Sequence, residues 1–163
     1  MISQQIQKLF AYNEWAWQRV FPSLAHLDDT EYKKERPQFW GSLHGVIVHC
    51  LAAETIWLLR CQGQSPTSVI QPEAFADLAA VRQQWAARNQ EWQALAGRLT
   101  DDELGRIIDY RNTRGNGFSV PLVDIMQHVV NHSTEHRSQM TPILHELGVP
   151  TPPLDYMRFC VRE

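Results

Sequence analysis

The sequence predicts an all-α protein: a four-helix bundle with long connectors and a small β-hairpin before the last helix. Four long segments repeat apolar residues at steps of three and four, which marks one buried face of a helix. The connectors between them are longer than tight turns, and one short segment alternates around a Gly/Asn turn. The 163 residues suffice for a substantial core and contain no repeat. We therefore expect residues 1–163 to form a single domain.

The first two helices are predicted from apolar periodicity in the first third of the chain. Helix 1 is predicted over about residues 3–25, with Pro22 as a kink or an early end. Residues 28–38 are charged and contain a proline, so they are predicted as a connector. Helix 2 is predicted over about residues 40–60 with a broad buried face, and Gly63 is part of the turn that ends it.

The third helix and the hairpin follow. Helix 3 is predicted over about residues 73–99, where alanine, glutamine and arginine surround an apolar stripe. Two β-like runs, 107–110 and 118–120, flank the turn Arg-Gly-Asn-Gly at 114–117. Such runs around a Gly/Asn turn are typical of a β-hairpin.

The fourth helix carries most of the histidines. It is predicted to begin near Pro121, because proline is tolerated in the first helical turn. It is predicted to end near Leu147, with Gly148 as the C-terminal cap. Pro142 lies inside this helix and predicts a kink in its last third. The tail that follows is proline-rich and then apolar, so it is expected to pack back on the bundle.

Charge and cysteine usage exclude several classes of function. The formal net charge is −3 and the pI is near 6.1, which argues against a nucleic-acid binder, because phosphate contacts need a basic surface. The sequence gives no reason to expect a membrane partner, and the N-terminus lacks the pattern of a secretory signal. Cys50, Cys61 and Cys160 are scattered and form no CxxC motif, so they predict neither a disulfide framework nor a zinc ribbon. We expect a cytoplasmic protein.

Three histidines of the fourth helix, His128, His132 and His136, stand four residues apart. Histidines at i and i+4 share a helix face, with Cβ atoms about 5–6 Å apart, so both rings can reach one ion. His128 and His136 are two turns apart, about 12 Å at 1.5 Å per residue, and cannot easily bind the same ion. One pair is therefore expected to be the ligands, and spacing alone leaves open which pair.

His49 is the best candidate for a third ligand from another helix. It lies within an apolar stretch of helix 2, and burying an unpaired polar group is costly. The alternative interpretation is a core histidine that forms a hydrogen bond to a neighbouring helix. His44 is expected to have a mainly structural or surface role, and His26 and His145 are expected at the surface.

Two other kinds of metal site are disfavoured. Residues 132–136 fit H-x-x-E-H, the inverted zincin motif, in which Glu135 would be the general base. That site also expects an acidic ligand well downstream, and Glu146 lies too far along the same helix, so Glu135 is expected to be a solvated residue. A ferritin-like di-iron site needs Glu-x-x-His motifs, and the sequence contains none.

Several segments together resemble the DinB/YfiT-like family of metal-binding four-helix bundles. These are HVVNHSTEHRSQM and FWGSLHGVIVHCLAAETIWLLRCQG, supported by LFAYNEWAWQRV and LDYMRFCVRE. The resemblance spans nearly the whole chain. It implies a triad of metal ligands, His49, His132 and His136, and leaves His128 outside it. Glu135 stands where many members have histidine, and Ser138 where glycine is common.

The resemblance also implies a function. Three neutral imidazoles on a divalent ion, which could be Zn, Ni, Mn or Fe, leave open positions for water or substrate. Family members with known activity use low-molecular-weight thiols, such as bacillithiol or mycothiol, as cosubstrates for S-transfer or isomerisation. We therefore expect a metal-dependent thiol S-transferase or related enzyme, acting on a small molecule and forming a homodimer. Asn131, Arg137 and Tyr110 are expected to support the ligands or to line the pocket mouth.

The first alternative to this enzyme is a metal- or ligand-binding stress-response protein without turnover. A role in DNA repair, suggested by the family name, would require salt-dependent DNA binding.

Overall fold

The structure is a computed structural model that describes residues 1–37 and 40–161. Four long helices form the bundle, and the short elements connect them. The elements in chain order are α1 (Ile2–Leu24), α2 (Asp29–Lys33), α3 (Leu43–Cys61), a 3₁₀ turn (Pro72–Ala74), α4 (Leu78–Arg98), α5 (Asp101–Leu104), β1 (Ile107–Arg111), β2 (Gly117–Pro121), α6 (Leu122–Glu146) and α7 (Tyr156–Cys160). The predicted four-helix bundle with a hairpin before its last helix is confirmed.

Two helices begin later than the sequence predicted, because a capping residue sets each start. Ser42 precedes α3, and its side chain accepts a hydrogen bond from the backbone N–H of Gly45 at 2.9 Å. Asp77 precedes α4 and accepts from the N–H of Ala80 at 2.8 Å. A side-chain oxygen in this position satisfies an amide that the first helical turn leaves free. Trp40 therefore lies outside α3, in the turn before it.

Both prolines predicted to disturb helices lie inside them. α1 continues past Pro22 to Leu24, so the predicted early end is wrong. α6 remains helical through Pro142 and ends at Glu146. Gly148 adopts the left-handed conformation expected of a residue that ends a helix, with φ of 69°.

The hairpin lies between α5 and α6. β1 and β2 pair antiparallel, with Ile108 opposite Val120 and Tyr110 opposite Phe118. Gly115 in the connecting turn has φ of 86°, a conformation that glycine adopts without strain. Because β2 leads directly into α6, the hairpin fixes where the histidine-bearing helix begins.

The bundle interior consists of two apolar clusters. One surrounds Trp92 and Phe10, and the other surrounds Trp17 and Ile47. By length and composition alone α3 could cross a membrane, but 72% of its most apolar stretch is buried in the bundle, as in the core helix of a soluble fold. Cys50, Cys61 and Cys160 are free thiols.

A buried polar network joins three of the four long helices. Glu54 of α3 accepts hydrogen bonds from Asn13 of α1 at 3.0 Å and from Ser133 of α6 at 2.7 Å, both on Oε1. Arg137 donates to the amide oxygen of Asn13, and burial raises the pKa of Glu54. Unpaired polar groups are costly in a protein interior, so these bonds fix α3 relative to α6.

Candidate metal centre

Three histidines from two helices converge on one point. His49 comes from α3, and His132 and His136 come from consecutive turns of α6. Nε2 of His132 lies 3.0 Å from Nε2 of His49 and 3.1 Å from Nε2 of His136. The three ligand nitrogens lie within 4.8 Å of one another. The structure thus brings together the three residues that the sequence proposed as metal ligands.

The spacing of these nitrogens fits a divalent ion. An imidazole nitrogen binds such an ion at about 2.0–2.1 Å, so two ligands sit about 2.9 Å apart at a right angle and about 3.4 Å apart at a tetrahedral angle. The two short Nε2 distances, 3.0 and 3.1 Å, fall within that range.

Hydrogen bonds among the histidines cannot account for this arrangement. Nδ1 of His136 donates to Oε1 of Gln139 at 2.8 Å, so Nε2 of neutral His136 has only a lone pair. Nε2 of His132 faces two ring nitrogens, and the one hydrogen it can carry cannot serve both contacts. Nδ1 of His132 is buried without a hydrogen-bond partner among the described residues. A cation at the point of convergence would engage all three Nε2 lone pairs.

The surroundings keep two of the rings neutral. Burial, followed by the neighbouring His136, lowers the pKa of His49 to about 4. Burial lowers the pKa of His132 to about 3, and His136 and His49 add to the effect. Both rings therefore present lone pairs at neutral pH, which metal binding requires.

Trp40 covers one side of the centre. Its indole stacks on the His49 ring at 3.6 Å between centroids and 14° between planes, and it meets His136 edge-on at 6.2 Å. Trp40 has φ of 63°, which is rare for a bulky residue and is associated with functional sites. Its carbonyl oxygen lies 2.0 Å from where a Cβ of residue 45 would be, so Gly45 permits this turn to rest on α3.

A comparison with protein families shows which family the chain belongs to. A model described as the DinB family matches residues 1–162. The chain belongs to the DinB family. Protein DinB of Bacillus subtilis (strain 168) is 26% identical to it over 159 residues, which cover 91% of this chain and 90% of that protein.

Solved structures of DinB-like proteins share the fold. A DinB-like protein (YjoA) of Bacillus subtilis has a TM-score of 0.64 at 14% identity, covering 89% of this chain and 94% of that one. One from Bacillus cereus ATCC 10987 has a TM-score of 0.64 at 20% identity, covering 86% and 94%. YfiT from Bacillus subtilis, described as a probable metal-dependent hydrolase with an unusual four-helix bundle topology, has a TM-score of 0.59 at 16% identity, covering 91% and 87%. At these identities the likeness shows the fold alone.

The remaining histidines of this DinB-family chain lie outside the triad. The His128 ring is exposed, 5.6 Å from His132, and packs against Trp57 at 5.1 Å between centroids. His44 is buried, with Nδ1 beside the Tyr32 hydroxyl at 3.1 Å and Nε2 beside a backbone carbonyl, so its role is structural as predicted. His26 and His145 are exposed, also as predicted.

The three residues expected to support the ligands or to line the pocket mouth have other partners in the structure. Asn131 is exposed and accepts a hydrogen bond from Gln127 at 2.9 Å. Arg137 follows His136 in sequence, but it points into the bundle and belongs to the buried polar network. Tyr110 lies on β1 against Trp57. None of the three forms a hydrogen bond with a triad nitrogen.

Two residues that contact the triad, Gln139 and Trp40, are not among those predicted from the sequence. Gln139 follows His136 by three residues, so helical spacing on the ligand face could have identified it. Trp40 falls at the predicted start of the second helix, and nothing in its local sequence indicates that its ring lies on His49. Glu135 is exposed, as expected of a solvated residue.

Proposed function

We propose that this DinB-family protein binds a divalent metal ion through His49, His132 and His136 and works as a metal-dependent thiol S-transferase or a related enzyme. The convergence of the three histidines, with two Nε2–Nε2 distances at metal-ligand spacing, is the observation that carries the proposal. Three protein ligands are the number found in catalytic rather than structural zinc sites, since the latter take four. The substrates would be a small thiol and a small electrophile.

The residues at the centre would have three separate roles: binding the ion, orienting a ligand and shielding one side. The three imidazoles would hold the ion, and Gln139 fixes the tautomer and orientation of His136 through its 2.8 Å hydrogen bond. Trp40 shields the His49 ring, so substrate would approach from the side that the indole leaves open. A divalent ion bound there would supply Lewis acidity and lower the pKa of a thiol or a water molecule.

The choice of a thiol over water rests on what surrounds the triad. Among residues 1–37 and 40–161, no carboxylate forms a hydrogen bond or ion pair with the three histidines. Hydrolysis commonly uses a positioned general base, whereas a thiol bound to a divalent cation is deprotonated outright. S-transfer would require the thiol to release its proton to solvent and the electrophile to release a leaving group; His49, His132 and His136 would hold the ion that lowers the thiol pKa. Hydrolysis remains the second candidate, because YfiT, which shares the fold, is described as a probable metal-dependent hydrolase.

Metal binding is tested by elemental analysis of the purified protein and of two variants. His132→Ala/His136→Ala should lose the ion, because it removes two of the three ligands. His145→Ala is the matched control, since this exposed histidine lies on the same helix, and it should retain the metal of the wild type. Equal metal content in all three proteins would refute the proposed ligand set.

Turnover is tested with the metal-loaded protein against two panels. The first pairs low-molecular-weight thiols with small electrophiles, and the second contains ester and amide substrates without a thiol. A rate that requires both the thiol and the ion supports S-transfer, and a thiol-independent rate supports hydrolysis. Metal binding without either rate would favour the alternative of a binding protein without turnover.

A further inference from the structure

A cavity lies at the C-terminal end of α3, apart from the three histidines. It has a volume of about 790 Å³ and is formed where the C-terminal ends of α3 and α4 meet β1. Three arginines line it: Arg60, Arg98 and Arg106. Arg60 is eleven residues beyond His49 on α3, about 16 Å at 1.5 Å per residue. None of the triad histidines is among the lining residues.

Arg60 is a buried cation without a counter-ion. Its guanidinium carbon lies against two aromatic rings, 4.4 Å from the centroid of Trp57 and 4.5 Å from that of Tyr110, and the residue is only 6% exposed. Nε is buried without a hydrogen-bond partner, and no ion pair joins the guanidinium to any residue within 1–37 and 40–161. The centroids of Trp57 and Tyr110 are only 5.1 Å apart, so both rings lie on one side of the guanidinium, and the N–H groups on its other side remain available to the cavity that Arg60 lines.

Among residues 1–37 and 40–161, no carboxylate forms an ion pair with any of the three arginines. Arg98 and Arg106 are exposed at its rim, and one N–H of Arg106 donates to the carbonyl of Cys61 at 3.3 Å. The two acidic lining residues are engaged with other groups. Glu91 accepts from Arg88, and Asp109 accepts from the Ser119 hydroxyl.

A third carboxylate nearby is also engaged. Glu103 faces Arg98 and Arg106, and its Oε2 accepts hydrogen bonds from the backbone N–H and the hydroxyl of Thr100. These bonds cap the short helix α5, and within the described residues Glu103 forms no ion pair with Arg60.

We propose that this cavity, lined by Arg60, Arg98 and Arg106, binds a small molecule through an oxyanion group, a carboxylate or a phosphate. Arg60 binds the two oxygens through its edge, the geometry in which guanidinium recognises carboxylate and phosphate. Arg98 and Arg106 add positive charge at the entrance. The site is separate from the metal centre and does not depend on the function proposed above.

The test is a calorimetric titration of the full-length protein with inorganic phosphate and, separately, with succinate, at constant ionic strength set with chloride. The His132→Ala/His136→Ala variant is titrated in parallel, so that an anion bound to the metal ion is distinguished from one bound at Arg60. We expect saturable binding of at least one anion to both proteins. Tighter binding of phosphate assigns a phosphoryl ligand, and tighter binding of succinate assigns a carboxylate.

Two variants locate the binding site. Arg60→Gln should weaken binding at least tenfold, because it removes the paired N–H groups. Arg19→Gln is the matched control, because it also removes one arginine that stacks on a tryptophan, Trp15, but at a distant exposed site. The anion affinity of this variant should equal that of the wild type. If Arg60→Gln does not fold, as judged by circular dichroism, Arg98→Gln/Arg106→Gln replaces it and should weaken binding at least threefold. Absence of saturable binding to the wild type, or equal weakening in the control, would overturn the proposal.

Discussion

Gln139 offers a sharp test of the metal centre, because it contacts a proposed ligand without being one. Its amide oxygen accepts a 2.8 Å hydrogen bond from Nδ1 of His136. Replacing Gln139 with Leu keeps a side chain of similar size but removes the acceptor. The ring of His136 then loses the group that fixes its tautomer and orientation, and Nε2 becomes a weaker ligand.

The size of the effect follows from the geometry. Loss of a partner that orients a metal-bound histidine typically lowers metal affinity 10- to 100-fold, which corresponds to about 1.4–2.7 kcal/mol. The bond is short and His136 is buried, with 7% exposure, so we expect a loss in that range for Gln139→Leu. Gln139→Glu retains an acceptor and adds a charge, so its affinity should equal or exceed that of the wild type.

The assay is a competition titration with a chromophoric chelator at pH 7. Gln127→Leu is the control, because Gln127 lies on the same helix and its side chain donates to exposed Asn131; the metal affinity of this variant should match that of the wild type. The reasoning fails if Gln139→Leu binds metal as tightly as the wild type while His136→Ala does not bind it.

Three further outcomes are expected. Ser133→Ala should lower the free energy of unfolding by about 1–3 kcal/mol in urea denaturation, because it removes a buried donor to Glu54; unchanged stability would contradict the role given to the network. The metal-free protein should lose stability as pH falls from about 6.5 towards 4 and 3, since unfolded histidines take up protons that folded His49 and His132 resist. Denaturation at pH 7 and pH 4.5 measures this loss, and His132→Gln should reduce the difference in unfolding free energy between the two pH values. In metal-free Trp40→Gly, diethylpyrocarbonate should modify His49 faster, as followed by mass spectrometry, because the stacked indole is gone; an unchanged rate would show that Trp40 does not shield the ring.

The long helices could be predicted because each repeats apolar residues over many turns. The short ones could not: α2, α5 and α7 have only four or five residues, too few for a periodic signal. The starts of α3 and α4 were set too early, although Ser42 and Asp77 are typical capping residues. A capping residue becomes informative only when the first buried residue of the helix is known.

The ligand set could be proposed from the sequence, but its neighbours could not. Helical spacing admitted two histidine pairs on α6, and the family resemblance selected His132 and His136, which the structure places with His49. Arg137 directly follows the ligand His136, but successive residues of a helix point about 100° apart. Arg137 therefore does not share the helix face of the ligands. The residue that contacts His136 is Gln139, one turn further on.

The buried bonds from Asn13 and Ser133 to Glu54 have a consequence for how the protein would acquire its ion. They hold α3 and α6 together through the polypeptide alone, so the ligands are in position before any metal arrives. Small zinc domains, in contrast, fold only as the ion binds. We therefore expect a chelator to strip the metal and leave a folded protein that can be reloaded. Affinities for first-row metals differ intrinsically, so the ion carried in the cell would then follow metal supply as much as the histidines themselves.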